Sequence, residues 1–294
     1  MIKRTVFFTT PCRLSTRNKQ LIVEHLDNQS TTSTPIEDIG IVIVENPRVN
    51  ISIPALNALC GNNCAVVLCD ERHMPASMLV PLVSNSIQTE TYKFQIEAGT
   101  PLKKRLWQQV VEAKIRNQAA VLNAVGQDGT LLKPYYSNVK SGDSDNREGL
   151  AARLYWSALF GKGFIRDKDE EGINSLLNYG YAILRAGMAR AIMGSGLYPA
   201  FGLFHKNRYN AFPLADDLME PYRPFVDEIV FNLIKEGDLT LDTGAKQALV
   251  RVMFRDTRIG ENVRPLIISL SQSSSSLAKC YRGEMTKIAF PILE

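Results

Sequence analysis

Apolar positions change their period near residue 100. Before it they fall in short β-branched and aromatic runs. Arg4–Thr10 is one, stopped by Pro11, and Gln20–Leu26 is a second. Ile36–Glu45 is the strongest, with Ile39, Ile41, Val42, Ile43 and Val44. Arg48–Ile53 and Ala65–Cys69 follow, with a short helical stretch at Pro54–Leu59 between them. Turn-forming groups separate the runs: Asp27-Asn28-Gln29-Ser30, Asn46-Pro47 and Gly61-Asn62-Asn63. Residues 1–83 are therefore expected to form a β-rich domain. Residues 84–100 are polar, show no clear period and read as a linker. Thr100 can cap a helix whose first position is Pro101.

From Pro101 the period is helical. Leu102, Leu106, Val110, Ala113, Ala120 and Val121 recur at threes and fours and form one face. Further helices are expected at Asn146–Phe160, at Asn174–Met193 (stopped by Gly194-Ser195-Gly196) and at Leu214–Lys235. Pro221 and Pro224 interrupt the last of these, which marks a bend or two abutting helices. Thr243–Phe254 and Arg264–Tyr281 are read as the final two helices, with Ser273–Ser276 on a helical face. The expected class is α+β, with a β-rich N-terminal domain followed by helices over 101–294.

Composition narrows the class. Of 294 residues, 45% are hydrophobic and 22% charged, enough apolar surface to form a core, which excludes a disordered chain. The apolar runs fall far short of the ~20 residues that span a bilayer. The apolar stretch at the N-terminus is too short for a signal peptide, so a cytoplasmic protein is expected. Five cysteines fit a reducing compartment. Cys60, Cys64, Cys69 and His73 lack the paired C-x2-C knuckles of zinc modules, so these cysteines are read as structural.

Charge is uneven. Residues 1–90 carry a net −1 and the remainder a net +5, within a total of +4. If the basic residues of the second part share a face, they would bind a polyanion; otherwise they are a solvated helical surface.

Three histidines occur. His25 lies in a strand-like run and is read as structural, and His73 lies in a polar loop. His205 stands where the apolar segment Leu197–Phe204 meets Lys206-Asn207-Arg208-Tyr209. Glu148 falls in the first turn of a helix capped by Asp145 or Asn146. It could serve the helix dipole there, but Ala151 and Ala152 leave space beside it. Asp217 and Glu220 are three apart on one helical face. Two carboxylates ~4 Å apart repel by about 4 kcal/mol at an effective dielectric near 20, so the pair calls for a cation. Arg223 is one source and a divalent ion another. Imidazole plus carboxylates without thiolate suits Mg²⁺ or Mn²⁺ better than structural zinc. With basic helices around it, such a set points to phosphodiester chemistry on nucleic acid.

Leu176-Leu177-Asn178-Tyr179-Gly180-Tyr181-Ala182-Ile183-Leu184-Arg185, Ala189-Arg190-Ala191-Ile192, Gly196-Leu197-x-Pro199-x-x-Gly202-x-x-His205 and Asp217-Leu218-Met219-Glu220-Pro221-x-Arg223-Pro224 together resemble the CRISPR-associated Cas-one (Cas1) family. Arg4-Thr5-Val6 and Asn146-Arg147-Glu148 fit the same pattern, and the form is most similar to members from type II loci. The resemblance implies an N-terminal β-sandwich that dimerises and an all-helical catalytic domain. It implies metal ligands at Glu148, His205 and Glu220, with Asp217 at a further acidic position. The implied activity is that of a DNA endonuclease and integrase, inserting captured DNA into the repeat by attack of a 3′-hydroxyl. The implied partners are DNA, Cas-two bridging two dimers and, from the type II likeness, a Cas-nine effector. Arg147, Arg185, Arg190, Lys206, Arg208 and Arg223 are then expected to contact DNA phosphates. The alternative is a non-catalytic DNA-binding scaffold of the same fold. No G-x-x-x-x-G-K-[ST] loop is present, in keeping with a reaction that needs no nucleotide.

Overall fold

The structure is a computed structural model that describes residues 3–167, 170–205, 207–237 and 239–293. Two four-stranded sheets fill the N-terminal part. One has the order β1 (Arg4–Phe8), β5 (Ile39–Val44), β7 (Ala65–Cys69), β8 (Pro75–Leu79). The other has the order β4 (Thr31–Pro35), β3 (Gln20–His25), β2 (Cys12–Arg17), β6 (Asn50–Ile51). Helix α1 (Ile53–Gly61) packs with them, its N-terminus capped by Ser52 with Pro54 in the first turn.

Strand β5 reads as an unbroken apolar run because both of its faces are covered. Ile39 and Val42 enter a core shared by the two sheets, with Leu14, Leu21, Leu59 and Val66. Ile41 and Ile43 point the other way, into the core of the helical part. The polar strands β2 and β4 escape hydrophobic reading. Strand β2 buries only Cys12 and Leu14, and β4 is a solvated edge strand made mostly of threonine.

The helical part comprises α2 (Gln88–Glu97), α3 (Thr100–Ala124), α4 (Lys133–Tyr136), α5 (Arg147–Phe160), α6 (Ile173–Gly194), α7 (Pro213–Met219), α8 (Arg223–Lys235), α9 (Thr243–Val250) and α10 (Leu266–Tyr281). Two expectations are corrected. The segment read as a linker holds α2, whose buried positions are the polar Thr91 and Gln95, so no apolar period betrays it. Gln95 bonds to the backbone of Tyr198 and Phe201 and so holds the chain that leads to His205. The second part is also not purely helical. Strands β9 (Asp256–Ile259) and β10 (Asn262–Pro265) form a hairpin around Gly260, where φ is +60°.

Helix α6 is buried almost throughout and is the element on which the others pack. A Cβ on Gly180 would lie 2.4 Å from Val226 of α8, so glycine there permits close helix contact. The serine run of α10 is a buried polar seam. Ser273 meets Tyr222 Oη at 2.7 Å, and Ser276 accepts from Ala289 N at 2.9 Å. All five cysteines are free thiols. No helix among the described residues is long and apolar enough to cross a membrane.

The strand-rich and helical parts meet over a buried ion pair. Glu45, just after β5, bonds to Lys246 of α9, and His73 Nδ1 stands 3.3 Å from the same Glu45 oxygen. Removing one partner of a buried pair strands a charge, at a cost of about 3–5 kcal/mol. Lys246→Met is therefore expected to lower unfolding stability by that order in urea titrations. Glu45→Gln combined with Lys246→Met should recover most of the loss, whereas equal stability of wild type and single variant would show that the pair carries no weight.

Candidate active site

Three chain segments converge beside α3. The first is the start of α5. Asn146, with φ of +54°, caps the helix by accepting from Gly149 N at 3.2 Å. Asp143 accepts from the backbone N–H groups of Arg147 at 2.7 Å and Glu148 at 3.1 Å. This doubly capped turn fixes where Glu148 projects.

The second is the loop 202–205. Three successive N–H groups, from Leu203, Phe204 and His205, donate to the carboxylate of Asp217 at 2.6, 3.0 and 3.3 Å. Asp217 is fully buried. A Cβ on Gly202 would lie 2.6 Å from His205 O and 2.9 Å from Asp217 Oδ2, so only glycine lets the loop close over the carboxylate. Asp217 Oδ1 also meets His205 Nδ1 at 2.5 Å, which leaves Nε2 for an outside partner. Trp107 of α3 stacks on Phe204 with centroids 4.6 Å apart and meets His205 edge-on at 5.7 Å.

The third is the short turn Glu220–Tyr222 between α7 and α8. Pro221 and Pro224 each sit in a first turn, where a missing N–H costs nothing, so the two prolines join abutting helices rather than break one. Asn117 of α3 pins this turn by donating to Pro221 O at 2.7 Å. One turn earlier on α3, Lys114 Nζ lies 2.5 Å from Glu148 Oε1 and 2.6 Å from Glu220 Oε2. Arg223 Nε lies 2.9 Å from the other Glu220 oxygen, with its guanidinium 4.5 Å over the ring of Tyr181.

The electrostatics follow from these contacts. Burial pushes Glu220 up, but Arg223 and Lys114 together hold it below the usual carboxylate value. Burial pushes the Lys114 ammonium down, yet Glu220 and Glu148 overcome that and hold it above the ordinary lysine value. The bond to Asp217 raises His205, with burial opposing and the charges of Asp217, Glu220 and Glu148 adding. Deeper in, burial raises Asp227 to about 7, where it accepts from Tyr155 Oη at 2.8 Å and also from Tyr181 Oη.

Glu148, His205 and Glu220 thus lie within electrostatic reach of one another. Asp217 stands apart, with both oxygens committed to the backbone of 203–205 and to His205, so it orients the imidazole. A cation between Glu148 and Glu220 is what their charge calls for, and Lys114 supplies one. Among the described residues, no three His, Cys, Asp and Glu side chains are drawn together tightly enough to cage a metal ion. The donor set itself suits one: two carboxylates already sharing a positive charge, and an imidazole with one nitrogen uncommitted.

A cavity of about 460 Å³ opens beside His205 and Glu220, lined also by Arg166, Arg185, Arg223, Tyr181 and Tyr209. Of the basic residues expected to meet DNA, Arg185 and Arg223 line it. Arg185 is paired to Asp216 at 2.8 Å and bonded to Asn210 at 2.6 Å. Arg208 is on an exposed loop, stacked over Tyr209 at 4.7 Å. Arg147 pairs with Asp145 at 2.9 Å. Arg190 is corrected: it is buried and donates from Nε to Asn63 O at 2.6 Å, so it ties α6 to the turn after α1 and presents no charge to an outside polyanion. Lys206 lies outside the described residues. Sequence reasoning missed Lys114 as a site residue, because it sits between the apolar positions of an amphipathic helix like any solvated lysine. It missed Arg166 because that residue lies in the irregular polar segment between α5 and α6, where an arginine reads as solvated. Only their contacts with Glu148 and Glu220, or with the cavity, distinguish them.

The sequence pattern of a family described as CRISPR associated protein Cas1 matches residues 6–260. A relative, the CRISPR-associated endonuclease Cas1 of Neisseria meningitidis serogroup C (strain 8013), is 39% identical over 257 residues, covering 86% of this chain and 84% of its own length. Among solved structures, a casposase bound to integration product is similar with a TM-score of 0.81 at 21% identity, over 99% of this chain and 93% of that one. A chain of a Cas6-RT-Cas1–Cas2 complex is similar over 97% of this chain and 35% of its own length, with a TM-score of 0.73 at 19% identity. The structural likenesses, both under a quarter identical, speak for the fold.

Because the folded state raises His205, its protonation favours folding. That contribution is complete below the ordinary value of 6.5 and fades as pH rises through the higher value in the folded chain. Proton NMR titration of metal-free protein should place the His205 midpoint above 6.5, and Asp217→Asn should bring it down. An unmoved midpoint would mean that Asp217 does not hold the ring.

Proposed function

Because the chain belongs to the CRISPR-associated Cas1 family, we propose that it is a divalent-metal-dependent DNA endonuclease and integrase of CRISPR adaptation. It captures DNA fragments and inserts them at the repeat, by transesterification from a 3′-hydroxyl. The observation that supports this reading is the meeting of Glu148 and Glu220 around one positive charge, with His205 turned toward the same cavity by Asp217.

Glu148, His205 and Glu220 would hold Mg²⁺ or Mn²⁺. When bound, such an ion polarises a phosphoryl oxygen and activates an attacking oxygen. The chain's own residues do the rest. Asp217 fixes the imidazole with Nε2 outward, so the ligand does not have to reorganise on binding. Arg223 keeps Glu220 ionised from the side away from Lys114. Arg166, Arg185 and Arg223 give the cavity a positive wall suited to a phosphodiester backbone, and Arg166 is held ready by Asn174 at 2.8 Å and Asn178 at 2.6 Å. Exchange of one phosphodiester for another draws on no nucleotide. With water in place of the hydroxyl, the same site would hydrolyse DNA.

The partners in this reading are double-stranded DNA fragments and repeat DNA, a second copy of the chain in a homodimer, and a Cas2 protein bridging two dimers. A Cas9 effector is the further partner suggested by the type II likeness.

Strand transfer of labelled DNA into a repeat-bearing plasmid with Mn²⁺ tests the reading. Glu148→Gln, His205→Ala and Glu220→Gln should each lower transfer by at least about 100-fold. DNA affinity should stay close to that of the wild type and fall steeply with added salt. Full activity in these variants would leave a DNA-binding scaffold as the better description.

A further inference from the structure

The position between Glu148 and Glu220 is held by a side chain of the protein itself. We propose that Lys114 is a built-in counter-cation, which occupies the seat of the divalent ion in the metal-free protein and has to leave it when the ion binds. This inference rests on the reading that Glu148 and Glu220 hold the metal.

The ammonium contacts one oxygen of each glutamate, at 2.5 and 2.6 Å, so both of these oxygens border the position it fills. Arg223 takes the remaining oxygen of Glu220. An ion shared by the two carboxylates would therefore compete with Lys114 and leave Arg223 in place. Lys114 is largely covered, with only 13% of its side chain exposed, so the two carboxylates are its main source of compensation. A dication and an ammonium on the same pair of oxygens would repel. Lysine suits an exchangeable role because its charge is a point on a flexible four-carbon stem, whereas the planar guanidinium of Arg223 is committed in orientation by its partner and by Tyr181.

Such an arrangement has two consequences. The carboxylates stay drawn together before any ion arrives, and the ion is bound more weakly than the donor set alone would allow. The ammonium released by the ion would lie beside the cavity, as a new positive charge for an entering phosphate.

Mn²⁺ binding to the metal-stripped, DNA-free full chain, followed by the electron spin resonance of free Mn²⁺, tests the proposal. Glu148→Gln and Glu220→Gln serve as references, and their binding should weaken. Lys114→Met should bind Mn²⁺ about tenfold or more tightly than wild type, since a contacting like charge is gone. Its melting temperature in EDTA should fall, and Mn²⁺ should raise it by more than it raises the wild type's. Lys114→Arg, which keeps the charge, should show no gain in affinity. On wild-type protein, the labelling of Lys114 by an amine-reactive reagent, read by peptide mass spectrometry, should rise on adding Mn²⁺. If the glutamate variants lose Mn²⁺ while Lys114→Met gains nothing and labelling does not rise, displacement is overturned and the metal reading stands. If the glutamate variants bind Mn²⁺ as wild type does, both are overturned.

Discussion

Two carboxylates cannot be brought under cover on facing helices unless something positive lies between them. That constraint governs the helical part of this protein. Glu148 comes from the first turn of α5 and Glu220 from the turn between α7 and α8, and each is delivered by a separate backbone device. Capping by Asp143 and Asn146 aims the first. Two prolines and the grip of Asn117 aim the second. Lys114, on the helix between them, touches both, and together with Arg223 it allows Glu220 to be buried in its ionised state.

Around that pair the structure spends its buried polar groups on orientation. Asp217 gathers three backbone N–H groups and an imidazole, and Gly202 is small enough to let it. Asp227 gathers two tyrosine hydroxyls, one from α5 and one from α6. Tyr181 then offers its face to Arg223 and Arg166. The result is a chain of charge and ring contacts from the protein interior to the cavity wall, in which most members have only one workable orientation.

How much of this was legible in the sequence depends on what the buried faces are made of. Strand β5 and helices α3 and α6 announce themselves because they bury aliphatic side chains in regular periods. Helix α2 and strand β4 do not, because one buries Thr91 and Gln95 and the other buries little. The candidate ligands could be picked from local context: an acid after a cap, a histidine after an apolar run, two acids three apart. The division of labour between Asp217 and Glu220 could not, since equal spacing on a helix says nothing about which carboxylate meets backbone donors. Arg190 shows the reverse error. Its charge suggested an outward-facing contact, yet its helix is buried almost throughout, and the guanidinium is committed to a carbonyl of the turn after α1.

The pairing of Glu45 with Lys246 joins positions 201 residues apart in the chain. During synthesis, the strand-rich segment leaves the ribosome long before α9 exists. Through that interval Glu45 has no ammonium to meet, and for the first part of it, before α6 has been made, the face of β5 that carries Ile41 and Ile43 is uncovered. The nascent sheet is thus left open on one side until α6, which packs against β5, β7 and β8, has emerged, a window in which a chaperone, or a second nascent chain, would find an apolar surface edged by an acidic group.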